Sequence, residues 1–405
     1  MTADTIAGTV VFCNIRQLKE AEATPAFRLI ASLHGTLRDW RASLLDRDRV
    51  RVRVLSSLTG AIIIVPDDAR LYVHHALPAL AAAISGLGIP AVYGVATGDL
   101  DYLEDADDTL NFVGPAINIA ARLAFSDSNP GVLYHQTYVD LARGVAETTH
   151  QESLNPCNAR QYLVEGKSHD RGPFQSRGFA AETWGGALAA DLGRLPGLTD
   201  AVEHLNGVVM AYDLPRFSAG DRAQLGKRFD AVAKAFHYSR RGENGRRQWL
   251  LSPGGDGGVV VMQGPKDAGY ELAKRFLRRL KIEDMGKLAS IFVDCRIGVH
   301  YGSVAIYPNA EGVSRPTGPV CFEADALASD AAAREAGGIV FSQAIAETVS
   351  GGSEESLERD WRELVPLEIR GRRLARYVEQ KEHSAFEDPL NKILGGSSSE
   401  WERET

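Results

Sequence analysis

The chain has 405 residues, of which 44% are hydrophobic and 24% are charged, so it can form two ordinary cores in two domains of roughly 150 to 200 residues each. Its net charge of −8 argues against nucleic acid as a partner, because sequence-independent binding to DNA or RNA draws on a basic surface. The four cysteines lack CxxC spacing, and no signal-peptide or bilayer-length apolar pattern is found. We therefore expect a cytoplasmic protein without a zinc site, a disulfide framework or a membrane partner.

In chain order, the hydrophobic periodicity predicts a strand, a helix, a hairpin, a helix, a strand, a helix and a strand. The segments are VVFCNI, AFRLIASLHGTLRDWRASLL, VRVLSSLTGAIIIV, HHALPALAAAISGLG, AVYGVATG, INIAARLAFS and GVLYHQ. The order returns later as VVMAYDL, LGKRFDAVAKAFHYS, RQWLLSPGGDGGVVVM, AGYELAKRFLRRL, CRIGVHYGSVAIYP, ADALASDAAARE and GIVFSQ. This repetition predicts an α+β fold of ferredoxin-like, palm-type βαββαβ order, with mixed sheets that carry helices on one face.

The repetition also predicts the domain bounds. We expect a first copy over residues 1–180, a connector over 181–204, a second copy over 205–380 and a flexible tail over 381–405. The tail is polar and rich in Gly and Ser, which is typical of a flexible segment.

The first strands of the two copies align without a gap. GTVVFCNIRQL (Gly8–Leu18) matches GVVMAYDLPRF (Gly207–Phe217), and this alignment places Asn14 opposite Asp213. The hairpins SLTGAIIIV and GGDGGVVVM align as well, and they place Thr59 opposite Asp256. The second copy therefore keeps two acidic residues that the first copy lacks.

A helix shows the reverse pattern. GPAINIAARLA matches GPVCFEADALA, which places Asn118 opposite Phe322 and Arg122 opposite Ala326. Asn118 and Arg122 are four residues apart and so project from the same helix face. Because each copy holds what the other lacks, the sequence predicts one composite site between the copies and a second, inactive pocket at Asn14, Thr59, Phe322 and Ala326.

The residue types of this composite site suit phosphate chemistry. Asp213 ends an apolar strand and Asp256 lies in a glycine-rich turn, so neighbouring strands would bring both carboxylates to one end of the sheet. Divalent ions such as Mg²⁺ prefer oxygen ligands, and two such ions are the usual arrangement for displacement at phosphorus. Arg122 offers a fork of donors for phosphate oxygens, and Asn118 could orient a sugar oxygen. Asp-Gly is also a common hairpin turn, so the metal interpretation depends on the pairing with Asp213.

Four short motifs, in matching order in both copies, resemble the class III nucleotide cyclases, which comprise the adenylate and guanylate cyclases. They are YDL, GDG, RIGVHYG and INIAARL, and the similarity spans nearly the whole chain. The resemblance implies two catalytic domains paired head to tail, with the site between them and with two divalent cations, Mn²⁺ or Mg²⁺. The pairing is expected within one chain, so a monomer could hold a complete site.

The resemblance also implies residue roles. Asp213 and Asp256 are similar to the metal ligands, with the carbonyl of Leu214 as a third. Asn118 is similar to the ribose-orienting residue and Arg122 to the transition-state arginine. Lys167 matches, less closely, the lysine that contacts the terminal phosphates.

The base-reading positions depart from the family pattern. They fall at Leu55 and Asn111, where neither the Lys and Asp of adenylate cyclases nor the Glu and Cys of guanylate cyclases are found. Arg53 and Ser56 are neighbours that could read the base instead. The loss of these partners is expected to abolish purine preference. In this respect the chain resembles the pyrimidine cyclases of bacterial antiphage defence. Of the two pyrimidine substrates, UTP, which gives cyclic UMP, is favoured slightly over CTP, which gives cyclic CMP.

Three alternatives stay open at this stage. The same fold could make cyclic AMP or cyclic GMP through unusual contacts. It could be a non-catalytic sensor that binds a nucleotide, although random decay would not leave one complete composite site. GGDGG also resembles the diguanylate cyclase signature, but that motif continues with Glu-Phe, which this chain lacks.

Overall fold

The computed structural model describes most of the chain. The described residues are 4–15, 18, 23–43, 52–66, 71–104, 110–126, 131–135, 137–138, 160–166, 174–180, 203–214, 222–240, 249–253, 257–285, 295–329, 338–369 and 372–380.

The first copy contains eight strands and three helices among these residues. They are β1 Asp4–Ile15, α1 Ala23–Ser43, β2 Arg53–Ser57, β3 Gly60–Pro66, α2 Leu71–Gly86, β4 Ala91–Glu104, β5 Leu110–Val113, α3 Pro115–Ala124, β6 Val132–His135, β7 Arg160–Gly166 and β8 Phe174–Ala180.

The second copy repeats this order and adds two short helices. Its elements are β9 Glu203–Asp213, α4 Arg222–Arg240, β10 Trp249–Pro253, β11 Gly257–Gln263, α5 Asp267–Met285, β12 Arg296–Pro308, β13 Ser314–Thr317, α6 Pro319–Ser329, β14 Ile339–Ser342, α7 Gln343–Val349, α8 Glu354–Asp360, β15 Trp361–Ile369 and β16 Arg372–Glu379.

Each copy forms one mixed sheet, and the two sheets have the same strand order. The first runs β2-β3-β1-β4-β6-β8-β7 with β5 on β4, and the second runs β10-β11-β9-β12-β14-β16-β15 with β13 on β12. The pairs β4 with β6 and β12 with β14 are parallel, and the central strand pairs are antiparallel. The predicted α+β fold with βαββαβ order in two tandem copies is therefore confirmed.

The expectation of helices on one face of each sheet is wrong. In the first copy, α1 and α2 pack on the face that carries Val11 and Cys13, whereas α3 packs on the opposite face against Val10 and Phe12. The alternation of a strand explains this, because successive side chains point to opposite faces. Both faces of β1 are apolar, so each needs a covering layer.

The strand β4 is longer than the periodicity predicts, whereas β12 agrees with its predicted segment, and each continues into a hairpin with β5 or β13 that reaches the other copy. Tyr307 of β12 lies in the apolar core of the first copy, where its ring centroid is 5.1 Å from that of His34. Val113 of β5 lies in the core of the second copy. These hairpins were missed because half of their side chains serve the neighbouring copy, so their sequences do not resemble strands of an isolated sheet.

The two copies therefore contact each other within the chain, and each completes the core of the other. Residues 181–202 of the expected connector and the tail over 381–405 lie outside the described residues. Among the helices that the structure describes, none is both long and apolar enough to cross a bilayer.

Candidate active site

The strand registers of the two copies agree with the sequence alignment. Asn14 of β1 lies opposite Gly60 of β3, and Asp213 of β9 lies opposite Gly257 of β11. Both glycines are needed at this crossing. An added Cβ would lie 2.0 Å from the Cys13 carbonyl oxygen at position 60 and 2.4 Å from the Tyr212 carbonyl oxygen at position 257.

The helices α3 and α6 also occupy equivalent places. A Cβ on Gly94 of β4 would lie 2.0 Å from the carbonyl oxygen of Ala120, and a Cβ on Gly298 of β12 would lie 2.1 Å from that of Ala324. Each glycine thus lets a helix rest directly on the strand backbone. Ala120 therefore corresponds to Ala324.

This correspondence fixes every neighbouring position on the two helices. Counting along them, Asn118 corresponds to Phe322, Ala121 to Asp325 and Phe125 to Ser329. The same count pairs Arg122 with Ala326, as the sequence predicts.

A central cleft of about 260 Å³ lies between the two copies. The first copy lines it with residues that include Phe12, Thr59, Ile62, Asn118, Ala121 and Phe125. The second copy lines it with residues that include Tyr212, Asp213, Gly257, Phe322, Asp325 and Ser329. Asp213 and Asn118 come from different copies and line the same cleft.

Asp213 ends β9 with a carboxylate that is 27% exposed. The Nη1 atom of Arg296, on the neighbouring strand β12, lies 3.7 Å from its Oδ2 atom and 3.5 Å from the carbonyl oxygen of Ser329. Arg296 thus links the strand end to the end of α6. Arg296 belongs to the RIGVHYG motif, but no role was predicted for it. Its cross-strand place opposite Asp213 is the signal that could have revealed it.

The helix α3 presents Asn118 to the cleft from a partly buried position. Pro115 occupies its first turn, and its apolar side buries Ile117, Ala120 and Leu123 against the sheet. Arg122 follows one turn after Asn118 and is exposed. The exposed position leaves its guanidinium accessible for an anionic ligand.

Leu55 and Asn111, the predicted base-reading residues, are buried in the first copy. Leu55 is 7% exposed and packs in the apolar cluster that contains Phe112 and Ile117. Asn111 is 3% exposed, and its Oδ1 atom accepts a hydrogen bond of 2.9 Å from the backbone N–H of Phe112. Leu55 and Phe112 belong to the same apolar cluster, and neither Leu55 nor Asn111 is among the residues that line the cleft.

The two alternative base-reading residues differ in their surroundings. Ser56 is 2% exposed, and its hydroxyl lies beside the buried phenol of Tyr307 from the second copy. Arg53 forms an ion pair with Glu311 of the second copy at 3.1 Å. Its guanidinium is thus engaged across the interface between the copies.

The other predicted site residues are Leu214, Asp256 and Lys167. Leu214 follows Asp213 directly and is 3% exposed, in the apolar core of the second copy. Asp256 and Lys167 lie outside the described residues. Among the residues that the structure describes, no cluster of three or more His, Cys, Asp or Glu side chains could hold a metal ion.

The oxygen atoms at the end of β9 nevertheless fit hard divalent cations. Asp213 supplies a partly exposed carboxylate that faces the cleft. Gly257 is the strand partner of Asp213, and Asp256 directly precedes Gly257 in the sequence. Carboxylate and backbone oxygens are the ligands that Mg²⁺ prefers.

The cysteines do not offer a competing chemistry. Cys13 and Cys321 are fully buried, and burial raises the pKa of each thiol to about 12. A thiol of this kind is protonated at neutral pH and is a poor nucleophile. The described residues therefore provide no activated cysteine at these two positions.

No protein-family model matches the chain, and no curated protein matches it. Among solved structures, the chain is similar to a bacterial light-regulated adenylyl cyclase, with 10% identity, 96% of this chain and 98% of that chain covered, and a TM-score of 0.33. It is also similar to the guanylate cyclase domain of RhGC from Catenaria anguillulae in complex with GTP, with 15% identity, 44% and 100% of the two chains covered, and a TM-score of 0.31. A third similar structure is an adenylate/guanylate cyclase/hydrolase from Silicibacter pomeroyi. The identity is 14%, the match covers 44% of this chain and 98% of that chain, and the TM-score is 0.32. At these TM-scores the similarities decide neither activity nor substrate, and the fold rests on the strand order of the chain itself.

Proposed function

We propose that this chain is a nucleotide cyclase that converts UTP into 3′,5′-cyclic UMP and pyrophosphate at a single composite site between its two copies. The observation that carries the proposal is the unequal lining of the central cleft. Asp213 of the second copy and Asn118 of the first line it together, while their counterparts Asn14 and Phe322 have the wrong chemistry for a metal and a sugar.

Asp213, Asp256 and the carbonyl of Leu214 would hold two divalent cations, Mn²⁺ or Mg²⁺. When bound, such cations activate the attacking oxygen and neutralise charge on the phosphates. Arg296 beside Asp213 holds that carboxylate toward the cleft. Its positive charge also offsets part of the repulsion between clustered carboxylates.

The reaction joins the 3′-oxygen of the substrate to its own α-phosphorus, breaks the bond from that phosphorus to the departing pyrophosphate oxygen, and releases the 3′-hydroxyl proton to water. Asn118 orients the ribose so that the 3′-oxygen lies in line with this bond. Arg122 donates hydrogen bonds to the α-phosphate as negative charge develops there, and Lys167 contacts the terminal phosphates. Catalysis then rests on positioning and electrostatic stabilisation, which together can account for large rate effects.

Pyrimidine selection is proposed for Leu55 and Asn111, with Arg53 and Ser56 as neighbouring candidates. Leu55 is apolar and cannot make the charged contacts that read a purine, whereas the amide of Asn111 can serve a smaller base. A site built around hydrogen bonds rejects a base that leaves them unpaired. The cyclic product would act as a second messenger in antiviral defence.

The test is to incubate the purified chain separately with ATP, GTP, CTP and UTP plus Mn²⁺ and to identify products by chromatography and mass. We expect cyclic UMP from the wild-type chain and from Asn14→Ala, and none from Asp213→Ala. Cyclic AMP or cyclic GMP would keep the mechanism and overturn the base assignment. Absence of any cyclic product would overturn the cyclase proposal.

A second candidate is a nucleotide sensor without catalysis, which the aromatic residues Phe12, Phe125 and Phe322 in the cleft favour over a fully polar active site. It predicts nucleotide binding with no product and with little effect of Asp213→Ala. Calorimetry on the same two proteins separates the two candidates.

A further inference from the structure

The tip of the hairpin between β12 and β13, in the second copy, lies on β2 of the first copy. The carboxylate of Glu311 contacts two successive residues there. Its Oε2 atom lies 3.1 Å from Nη2 of Arg53, and its Oε1 atom accepts a hydrogen bond of 3.2 Å from the backbone N–H of Val54. One side chain of the second copy thus binds both the backbone and a side chain of the first copy.

β2 needs such a contact because it is the edge strand of its sheet, with β3 on one side. The unpaired N–H groups of an edge strand require other partners. Leu55, the proposed base-reading residue, follows Val54 directly. Any shift of this edge would therefore move Leu55 as well.

The hairpin tip is built to present Glu311. The side-chain oxygen of Asn309 accepts hydrogen bonds of 2.9 Å from the backbone N–H groups of both Glu311 and Val313. Asn309 is 3% exposed, and Gly312 takes a left-handed conformation with φ of 83°. This turn holds the carboxylate in place before contact, so little conformational entropy is lost when it binds.

The arginine of this contact has no counterpart in the second copy. Arg53 lies opposite Ile64 on β3, and Leu250 lies opposite Val261 on β11. Ile64 and Val261 each follow the equivalent glycines by four residues, so Leu250 corresponds to Arg53. The arginine is present only in the copy that is proposed to read the base.

The pair is shielded from water, with the side chains of Arg53 and Glu311 26% and 16% exposed. Hydrogen bonds between charged groups are shorter and stronger than neutral ones, and shielding reduces their screening by salt. Arg53 is thereby engaged by Glu311, so Leu55 and Ser56 are the remaining base-reading candidates on this strand.

We propose that Glu311 is a positioning residue, which holds the base-reading strand β2 of the first copy in place from the second copy and so makes nucleotide selection depend on the contact between the copies. This inference rests on the proposed function, because it assigns base reading to Leu55.

The first measurement is hydrogen exchange of the full-length chain, followed by mass spectrometry of the peptide that contains Val54. Glu311→Ala removes the acceptor, and we expect exchange in this peptide to become at least about tenfold faster. Glu311→Gln keeps an acceptor for the Val54 N–H but loses the ion pair. Its exchange rate in this peptide should therefore fall between those of the wild type and Glu311→Ala. Glu355→Gln, an exposed glutamate in α8, is the matched control and should exchange as the wild type does.

The second measurement is calorimetric binding of UTP, CTP, ATP and GTP in Ca²⁺, which tests selection without turnover. We expect Glu311→Ala to reduce the affinity ratio between UTP and the purine nucleotides at least about tenfold, with Glu311→Gln intermediate and Glu355→Gln unchanged. A purely structural role would lower thermal stability and leave this ratio alone.

Each outcome decides the proposal. Unchanged exchange in Glu311→Ala would show that the carboxylate does not hold β2, and faster exchange with an unchanged affinity ratio would show that β2 does not set selection. Either result overturns the proposal. The proposed function is judged separately, and it stands if the wild type binds UTP and forms cyclic UMP. If the wild type binds none of the four nucleotides, the proposed function fails first, and the positioning role falls with it.

Discussion

The two ends of the central cleft are built on the same backbone, yet they offer a nucleotide opposite surroundings. Four positions correspond between the two ends. At the Asp213 end they hold small or polar residues, which are Ala211, Asp213, Ser329 and Asn118. At the other end the corresponding residues, in the same order, are Phe12, Asn14, Phe125 and Phe322. The second end lacks counterparts of the Asp213 and Asp256 carboxylates and is lined with aromatic rings, with the Phe12 and Phe125 centroids 5.5 Å apart.

Charge differs between the two ends as well as shape. Where α3 carries Ala121 and Arg122, α6 carries Asp325 and Ala326, and Asp325 lines the cleft. A triphosphate is attracted by the first arrangement and repelled by the second. The comparison teaches that one duplicated fold can become a single directional site when each copy loses the half that the other keeps.

The largest effect is expected from the metal-binding position and its counterpart. Asp213→Ala removes a carboxylate that the cations need, so cyclic nucleotide formation should fall at least about 1000-fold. Asn14→Ala, at the same place in the first copy, should leave the rate within about twofold of the wild-type rate. Equal loss in both variants would show that both ends of the cleft work.

The next effect concerns the arginine. Arg122→Ala should lower kcat by about 100-fold to 1000-fold, because a donor to the developing charge is lost. A mixture of Arg122→Ala with Asp256→Ala should stay as inactive as either protein alone, since each chain would still lack one half of its site. Recovered activity in the mixture would mean that copies from different chains pair.

An exchange of side chains between the two ends gives a smaller effect. Asn118→Phe places the residue of the inactive end in the active end, and we expect about a 100-fold loss of kcat/KM because the ribose contact is lost. Phe322→Leu is the control at the other end; it removes part of a buried ring and should cost roughly 1 to 3 kcal/mol of stability with little change in rate. The pair is checked by steady-state kinetics together with urea unfolding, and loss of activity in Phe322→Leu at unchanged stability would contradict the assignment.

The smallest effect concerns the interface below the inactive end. His34 is fully buried, its Nε2 atom lies 3.2 Å from the carbonyl oxygen of Gly60, and its ring packs against Tyr307 of the second copy. Burial, with a smaller contribution from the charge of Arg315, lowers the pKa of His34 from 6.5 to about 4, although the Gly60 carbonyl opposes the shift.

Because the folded pKa is below the unfolded one, the unfolded state takes up the proton first as the pH falls. Stability is therefore complete above pH 6.5 and is lost progressively between pH 6.5 and about 4. At pH 5 the wild type should lose roughly 2 kcal/mol relative to neutral pH through this group. His34→Gln does not titrate, and urea unfolding at both pH values should show a smaller loss for it; an equal loss would remove His34 from the account.

The duplication made much of the fold predictable. Asn14 and Asp213 could be paired from sequence because similar apolar runs lead to both, and the strand registers agree with that pairing. The opposite-face helices α3 and α6 were misjudged, because periodicity shows that a helix is amphipathic and does not show which face of a sheet it covers.

Other parts of the site were beyond sequence reasoning for a physical reason. Glu311 meets Arg53 across 258 residues of chain, and no local pattern marks either side chain for the other. Phe125 follows α3 as an exposed aromatic, and only the assembled cleft shows that it lines the inactive end. Contacts between the copies depend on packing geometry, so they become visible once both sheets are in place.

The most direct test of a single composite site is a count of bound nucleotides. The full-length chain is titrated by calorimetry with 3′-deoxy-UTP in Mn²⁺, a ligand that lacks the attacking hydroxyl and cannot cyclise. We predict one nucleotide per chain for the wild type and for Asn14→Ala, with binding lost in Asp213→Ala. Two nucleotides per chain, or equal binding by Asp213→Ala, would contradict the account.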